Sequence, residues 1–174
     1  LPPPPYVAVK APVFSFVKLG RVEISLGPEM KSTGEVLGID LTAEEALYKA
    51  LLASGSRIPR EGAILITLAD KDKEEGVELA RGFAGLGFRL LATAGTARRL
   101  EEAGLPVQPA YKIGEGRPNV VDLIKDGQVQ MVINTPTRGR LPQRNGFQMR
   151  RAAVEFRVPC FTSLDTARAV LQVL

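Results

Sequence analysis

The run from Ala63 to Leu68 constrains the fold of this chain more than any other segment, because it is apolar at nearly every position. Such a run is typical of a strand that is covered on both faces of a sheet. Four further strands are predicted, each separated from the next by a helical pattern, at 88–92, 107–110, 130–134 and 159–162. Helices are predicted at 71–86, 96–103, 118–125 and 143–156, and a last one follows Ser163. Short strands interleaved with helices predict a three-layer α/β domain, in which a roughly five-stranded parallel sheet carries helices on both faces.

The segment before this domain has a different pattern. Residues 1–37 are extended and loop-rich, with short β-type runs at Tyr6–Val9 and Val13–Val17. Thr42-x-x-Glu45 fits a capping box at a helix start. The apolar stripe of that helix consists of Ala46, Leu47, Ala50 and Leu51. We therefore predict three regions, namely a short β and loop tail at 1–40, a connecting helix and linker at 41–61, and the α/β domain at 62–174.

Composition excludes several kinds of function. Cys160 is the only cysteine among the 174 residues, which excludes an internal disulfide and suits a reducing cytoplasm. Histidine is absent, and with it the usual general base near neutral pH and the commonest metal ligand. We therefore expect no metal site. The net charge of +4 is a mild excess that suits a small anionic ligand at least as well as a nucleic acid.

The ends and the apolar runs of the chain bear on its location. The chain begins Leu-Pro-Pro-Pro-Pro, with no initiator methionine and no secretory leader pattern, so we expect a fragment of a longer polypeptide. No apolar run approaches the roughly 18–20 residues of a membrane helix. We expect a cytoplasmic protein that does not associate with a membrane.

Polar side chains follow the predicted strands at the points where the strands end. In a parallel sheet these carboxyl ends share one edge, and ligands bind there. Hydroxyls, an amide, two lysines and the backbone N–H groups of helix starts would together form a cradle for a phosphate-type anion. The residues predicted to form it are Thr67, Lys73, Thr93, Gly95, Thr96, Lys112, Asn134 and Thr135. Each also has a plain structural interpretation: Thr96 as a helix cap, Lys73 as a solvated lysine, and Asn134-Thr135-Pro136 as a turn.

Signs of catalysis are poor. The acidic residues Asp70, Asp72, Glu74 and Glu75 lie at a helix start, where they complement the helix dipole. Cys160 lies in an apolar strand with no base beside it, which favours a buried, inert thiol. We predict no catalytic residue in this chain. Arginines become frequent towards the C-terminus, and both a solvated face and an anion-contacting loop fit them: Arg138, Arg140, Arg144, Arg150, Arg151 and Arg157.

Two groups of motifs resemble one family. The segment Leu26–Gly38, with its Gly-Pro-Glu-Met-Lys-Ser-Thr-Gly core, resembles the end of the second ATP-grasp unit in the large chain of carbamoyl-phosphate synthase. The later motifs resemble its C-terminal allosteric domain, which shares a fold with methylglyoxal synthase; they are Thr93-Ala94-Gly95-Thr96, Glu115–Asn119, Ile133-Asn134-Thr135 and Arg150-Arg151. The tail at 1–40 would then belong to the ATP-grasp unit.

The resemblance implies a regulatory role. That enzyme makes carbamoyl phosphate from bicarbonate, glutamine-derived ammonia and two ATP, for pyrimidine and arginine synthesis. Its last domain binds a nucleoside monophosphate such as UMP or IMP, and the predicted cradle matches those contacts. The implied partners are the rest of the large chain and the glutaminase small chain. ATP and Mg would bind upstream, so no cofactor is expected here, and self-association into a homo-oligomer stays open.

A second effector site is implied by the same resemblance, at Leu26 and Thr162. Well-known members bind ornithine there through a glutamate and an aromatic residue, where this chain has Ala11 and Cys160. Ornithine control is therefore not expected. In the first site, Pro136 replaces a second threonine that follows the Asn-Thr pair in those members.

The main alternative is a lyase of the methylglyoxal synthase type, which acts on dihydroxyacetone phosphate. Members of that family carry a catalytic Asp in a Gly-Gly-Asp loop and a catalytic His. This chain has neither a Gly-Gly-Asp sequence nor any histidine. A nucleic-acid binder would need a denser basic stripe with exposed aromatic residues, whereas aromatic residues make up only 6% of this chain.

Overall fold

Seven strands and six helices are present in the computed structural model, which describes residues 4–14, 30–136 and 145–174. The strands are β1 Val7–Val13, β2 Gly34–Asp40, β3 Ala63–Thr67, β4 Arg89–Thr93, β5 Val107–Ala110, β6 Met131–Asn134 and β7 Cys160–Phe161. The helices are α1 Ala43–Ala53, α2 Lys73–Gly85, α3 Ala94–Glu102, α4 Val120–Lys125, α5 Asn145–Glu155 and α6 Leu164–Gln172. A short 3₁₀ turn, Asp70–Asp72, precedes α2.

The last five strands form one parallel sheet in the order β5-β4-β3-β6-β7. The chain moves outward from β3 to β4 and β5, and then returns to place β6 on the opposite side of β3. The strand order therefore reverses between β3 and β6, and a crevice opens at such a reversal in doubly wound sheets. This topology confirms the predicted α/β fold class.

Two cores, one on each face of the sheet, explain the apolar run at Ala63–Leu68. Ile64 and Ile66 pack with Phe83 in the core beneath α2, α3 and α6, where Phe83 meets Phe88 edge to face with ring centroids 5.8 Å apart. Leu65 packs on the other face with Val132, beneath α4 and α5. Because β3 is buried on both faces of the sheet, the side chains that point to either face are apolar.

The N-terminal part of the described chain is a two-stranded antiparallel sheet covered by α1. β1 pairs with β2 along its whole length, from Val7 opposite Asp40 to Val13 opposite Gly34. Residues 34–37 were predicted as part of an extended, loop-rich segment; they are extended, but they belong to a regular strand that was not predicted. Of the predicted run Val13–Val17, residues 15–17 lie outside the described part. Tyr48 and Leu51 of α1 contact the larger core of the parallel sheet.

Gly38 explains how α1 lies so close to β2. A Cβ atom at this position would lie 2.0 Å from the Ala46 carbonyl oxygen and 2.5 Å from the Ala50 nitrogen. Ala46 and Ala50 are both fully buried in this contact. The strand and the helix therefore touch backbone to backbone, which only glycine permits.

The caps of two helices differ in detail from the predicted ones. Thr42 is the N-cap of α1, as predicted, and its Oγ1 accepts from Glu45 N at 3.2 Å. The second half of the predicted capping box differs, because Glu45 Oε2 accepts from the Thr42 hydroxyl, at 2.9 Å, rather than from its backbone N–H. Pro118 is not the first residue of α4, which corrects the predicted start. Asn119 takes the N-cap instead, because its side chain accepts from the N–H groups of Val121 and Asp122. No helix in the described ranges combines the length and the hydropathy needed to cross a bilayer.

Gly38→Ala is expected to lower the free energy of unfolding by about 1–3 kcal/mol or more, the range for overpacking, because the new methyl group meets backbone atoms that cannot turn aside. Urea denaturation measures the change. Gly85→Ala is the matched control, because a Cβ atom there meets nothing within 4 Å. This control is expected to be neutral or to stabilise α2 by up to about 1 kcal/mol. Equal denaturation midpoints for the two variants would contradict the close packing of β2 and α1.

Candidate functional site

The predicted residues Thr67, Asn134 and Thr135 lie together where β3 and β6 end side by side. Thr67 and Asn134 are register partners, and Asn134 Nδ2 donates to Thr67 Oγ1 at 2.6 Å. Thr135 N continues the ladder by donating to the Thr67 carbonyl oxygen at 3.1 Å. All three residues are buried. Asn134 is thus part of a buried network and not simply a turn residue.

Arg150 completes this group, although it was predicted only as one of several C-terminal arginines and as part of the Arg150-Arg151 motif, and not as a member of the cradle. Its Nη1 donates to Asn134 Oδ1 at 2.7 Å, and the residue is only 6% exposed. The sequence shows Arg150 among many arginines, but it sits between apolar positions of α5 that face the core, Met149 and Ala152. A cation on the inner face of a helix is the signal that could have identified it.

Two threonine hydroxyls fix the chain that leaves β3. Thr96 Oγ1 accepts from Leu68 N at 3.1 Å, and Thr135 Oγ1 accepts from Ala69 N at 2.8 Å. Thr96 is not the cap of α3, because it is the third residue of a helix that begins at Ala94 and has Thr93 as its N-cap. The two side chains hold the loop after β3 from opposite sides.

The Lys73 ammonium lies over the first turn of α3. Its Nζ is 3.3 Å from the point where a Cβ atom on Gly95 would stand, and its side chain is only 23% exposed. The same Nζ contacts Asp70 Oδ1 at 2.6 Å. The hydrogen bond from Lys73, and then its charge, lowers the pKa of the Asp70 carboxyl below its ordinary value. A plain solvated lysine is thus excluded for Lys73.

A second ion pair sets α2 and α3 side by side. Arg99 Nε and Nη2 donate to the two carboxylate oxygens of Glu74, at 2.7 and 2.6 Å. The hydrogen bond from Arg99 lowers the pKa of Glu74, and the bond to Glu74 raises the pKa of Arg99. The pair is largely exposed and contributes little to stability. The pair instead links α2, which carries Lys73, to α3, which carries Gly95.

Lys112 stands apart from the other predicted residues. It follows β5 at the edge of the sheet, and its Nζ lies 3.6 Å from Glu115 Oε1. In the described part of the chain no hydrogen bond or ion pair links it to Thr67, Asn134 or Lys73. β5 is separated from β3 by β4, so about 10 Å of sheet lies between them. The role of Lys112 as a ligand contact stays a prediction.

Thr162, the predicted second effector contact, lies in a groove of about 300 Å³ beyond the ends of β6 and β7. The groove is lined by Lys71, Asp72, Glu75, Thr135, Pro136, Thr162, Ser163, Leu164 and Asp165. Three carboxylates against one ammonium make this lining unfavourable for an anion. Leu26, the other residue of this prediction, lies outside the described residues.

Side chains that commonly bind metal ions are not gathered in the ranges 4–14, 30–136 and 145–174. Within these ranges no three His, Cys, Asp or Glu side chains come close enough together to hold a metal ion. Cys160 packs against the core beneath α4 and α5 and is partly exposed, so it is less buried than predicted.

A family model, the MGS-like domain, matches residues 75–162, just over half of the chain. The chain belongs to the MGS-like domain family. Methylglyoxal synthase from Elizabethkingia anophelis NUHP1 is a similar solved structure, with 21% identity, a TM-score of 0.53, and coverage of 66% of this chain and 79% of that one. The structure titled ForH has 22% identity, a TM-score of 0.46, and coverage of 64% and 77%. The likeness to methylglyoxal synthase shows the fold of the MGS-like domain.

Thr96→Val is expected to destabilise the MGS-like domain by about 1–3 kcal/mol, because the Leu68 N–H loses its acceptor inside a partly buried loop. Thr96→Ser keeps the oxygen and is expected to retain most of the stability. Thermal unfolding of the two variants checks this difference. Should Thr96→Val prove as stable as Thr96→Ser, the hydroxyl would have no part in fixing the loop.

Proposed function

We propose that the chain is the regulatory part of a carbamoyl-phosphate synthase large chain and that it binds a nucleoside monophosphate, UMP or IMP, at the carboxyl ends of β3, β4 and β6. The MGS-like family and the fold support a phosphate-recognising domain of this general type, either regulatory or lyase. The finer identity rests on the resemblance of Leu26–Gly38 and of the later motifs to that enzyme.

The position of Lys73 is the single observation that carries the anion site. The N-terminus of a helix bears a partial positive charge, so an ammonium placed over the first turn of α3 is repelled by it. An anion between the two removes this repulsion and accepts hydrogen bonds from both, as helix N-termini do with phosphates. Gly95 supports the same interpretation. A Cβ atom there would stand 3.3 Å from the Lys73 ammonium and would narrow the space for an anion between the ammonium and α3.

Asp70 is the negative charge that faces Lys73 in this structure. Its side chain is 95% exposed, so little packing holds the Asp70 carboxylate in place beside Lys73. A phosphate carries more charge and more acceptors than a carboxylate and could take its place. Asp70 would then act as an internal competitor for Lys73.

Carbamoyl-phosphate synthesis itself would require the upstream ATP-grasp units, with ATP and Mg, and the glutaminase small chain. The residues of this chain supply only the nucleotide contacts: Lys73 and the first turn of α3 hold the phosphate, while Thr67 and Asn134 present polar groups at the neighbouring strand ends. Lys112 would reach the ligand from the edge of the sheet.

A lyase acting on dihydroxyacetone phosphate is the second candidate, favoured by the structural likeness to methylglyoxal synthase. Both candidates need a phosphate site, so binding alone does not separate them. The absence of histidine and of a Gly-Gly-Asp sequence from the chain favours the regulatory candidate.

Lys73→Ala is expected to weaken UMP or IMP binding by about ten-fold to a hundred-fold, since a hydrogen bond to a charged group contributes about 1.5–3 kcal/mol. Isothermal titration calorimetry measures the affinity. Lys125→Ala is the matched control, because Lys125 ends α4 just before β6 begins, at the opposite edge of the sheet.

The Asp70→Asn variant has the opposite sign. It removes the competitor and is expected to tighten nucleotide binding several-fold, since Lys73 no longer has to leave a carboxylate. Affinities that are unchanged in Lys73→Ala, or reduced equally in Lys125→Ala, would contradict the site.

Activity assays separate the two candidate functions. The 174-residue chain, incubated with dihydroxyacetone phosphate, is expected to form no methylglyoxal above a blank, because it lacks a histidine acid or base. It is likewise expected to form no carbamoyl phosphate from bicarbonate, ammonia and ATP. Methylglyoxal formation that disappears in Lys73→Ala would replace the regulatory proposal with the lyase.

A further inference from the structure

The chemistry of arginine fixes the orientation of the Asn134 side chain. A guanidinium group carries N–H donors and no acceptor. The Asn134 atom that lies 2.7 Å from Arg150 Nη1 must therefore be the carbonyl oxygen. The amide nitrogen is then the atom that faces Thr67 Oγ1, at 2.6 Å. The oxygen and nitrogen of the Asn134 amide have nearly the same shape, so it is the donor-only Arg150 that distinguishes them.

This orientation determines what the Thr67 hydroxyl can do. The amide nitrogen only donates, so Thr67 Oγ1 must accept, and its single hydrogen remains for another acceptor. No hydrogen bond that uses this hydrogen is present in the described ranges. If the amide were reversed, its oxygen would take the Thr67 hydrogen, and the hydroxyl could offer only lone pairs to a ligand. Hydrogen bonds therefore run in one direction, from Arg150 through Asn134 to Thr67.

The environment of Arg150 shows that this contact is built into the fold. Arg150 is almost fully buried, and burying its charged group carries a large desolvation penalty unless the group is hydrogen-bonded. Gly146, in the first turn of α5, leaves room for it: a Cβ atom there would lie 3.1 Å from Arg150 Nη1 and 3.5 Å from Asn134 Oδ1. Glycine weakens a helix relative to alanine. The helix nevertheless has a glycine where the guanidinium and the amide meet.

The hydroxyls of the other two threonines of the site also accept a hydrogen bond from the protein. Thr96 and Thr135 accept from the backbone N–H groups of Leu68 and Ala69, which can only donate. Each of these hydroxyls therefore also keeps its hydrogen. The three hydroxyls at the ends of β3 and β6 and in α3 are all set to donate, which suits a ligand that only accepts, such as an ionised phosphate.

We propose that Arg150 is a positioning residue that sets the direction of the Arg150–Asn134–Thr67 hydrogen bonds, so that Thr67 donates its hydroxyl hydrogen to the bound anion. This inference rests on the anion site proposed above. Arg150 acts through Asn134 and does not itself touch the ligand. Its contribution to binding is thus expressed through Thr67, although Arg150 and Thr67 share no hydrogen bond with each other.

The test is the cost of Thr67→Val in three backgrounds, measured as the affinity for UMP and for inorganic phosphate by calorimetry on the 174-residue chain. In the unmodified chain, the loss of the donated hydrogen bond is expected to weaken binding about ten-fold. Arg150→Lys keeps a cation that can only donate, so the ten-fold cost is expected to persist. Arg150→Gln can accept as well as donate, which lets Asn134 reverse, and the cost of Thr67→Val is expected to shrink to less than about two-fold. Thr67→Ser keeps the hydroxyl and is the control in each background.

A role of Arg150 in charge or stability alone gives another result. The losses from Arg150→Gln and Thr67→Val would then be additive, as they are for independent sites, and additivity would overturn the proposal. If Arg150→Gln does not fold, Asn134→Asp replaces it: the carboxylate still accepts from Arg150 but must also accept from Thr67, so the Thr67→Val cost is again expected to vanish. An unmodified chain that binds neither probe would overturn the anion site and this inference together. An unmodified chain that binds both, with additive losses, would overturn this inference alone.

Discussion

The parallel register of β3 and β6 is the constraint on which the candidate site depends. It sets Thr67 opposite Asn134 at the one place in the sheet where the strand order reverses. From that point the chain leaves on opposite faces: β3 continues towards α2, and β6 continues towards α5. In the described residues, the crevice between the two strand ends is therefore lined by backbone and side-chain donors. A slip of the register would separate the Thr67 hydroxyl from the Asn134 amide and would deprive the Ala69 N–H of its acceptor, Thr135 Oγ1.

The charged side chains around this crevice are mainly positive. Arg150 lies buried beneath it, and Lys73 lies over the start of α3. Asp70 is the only carboxylate that the described contacts bring to Lys73. The neighbouring groove beyond β6 and β7 has the opposite balance, with Asp72, Glu75 and Asp165 in its lining. Two adjacent regions of one sheet edge thus differ in charge, and Thr135 lies on the boundary between them.

Much of the fold could be predicted from the sequence, because a strand buried on both faces must be apolar at every position. Ala63–Thr67 shows this directly, and the strands on either side follow from the alternation with helices. β2 could not be predicted in this way. Its contact with α1 depends on the missing side chain of Gly38, and Leu37 and Ile39 are exposed, so neither face of the strand shows a clear apolar alternation. The start of α4 was predicted two residues too early for a local reason. Pro118 suits a first helical position, but the Asn119 side chain caps the helix, which therefore begins at Val120.

The site was predictable only as far as strand ends determine it. Thr67, Asn134 and Thr135 meet because each ends or follows a strand, whereas the proximity of Lys73 to Gly95 depends on the packing of α2 against α3, which no spacing reveals. Arg150 was not placed in the predicted cradle because it is one of many arginines in its segment. Its position between Met149 and Ala152 becomes decisive only once the inner face of α5 is known.

The structural role of the threonines at this edge is compatible with the anion contact proposed for them. A hydroxyl has one hydrogen and two lone pairs, so it can accept from the protein and donate to a ligand at the same time. Thr96 and Thr135 use a lone pair to hold the loop after β3. Lysine, arginine and backbone N–H groups cannot do both, because they only donate. A threonine that stabilises the loop is for that reason already set to donate, so the interactions that stabilise the fold are compatible with the anion site proposed above.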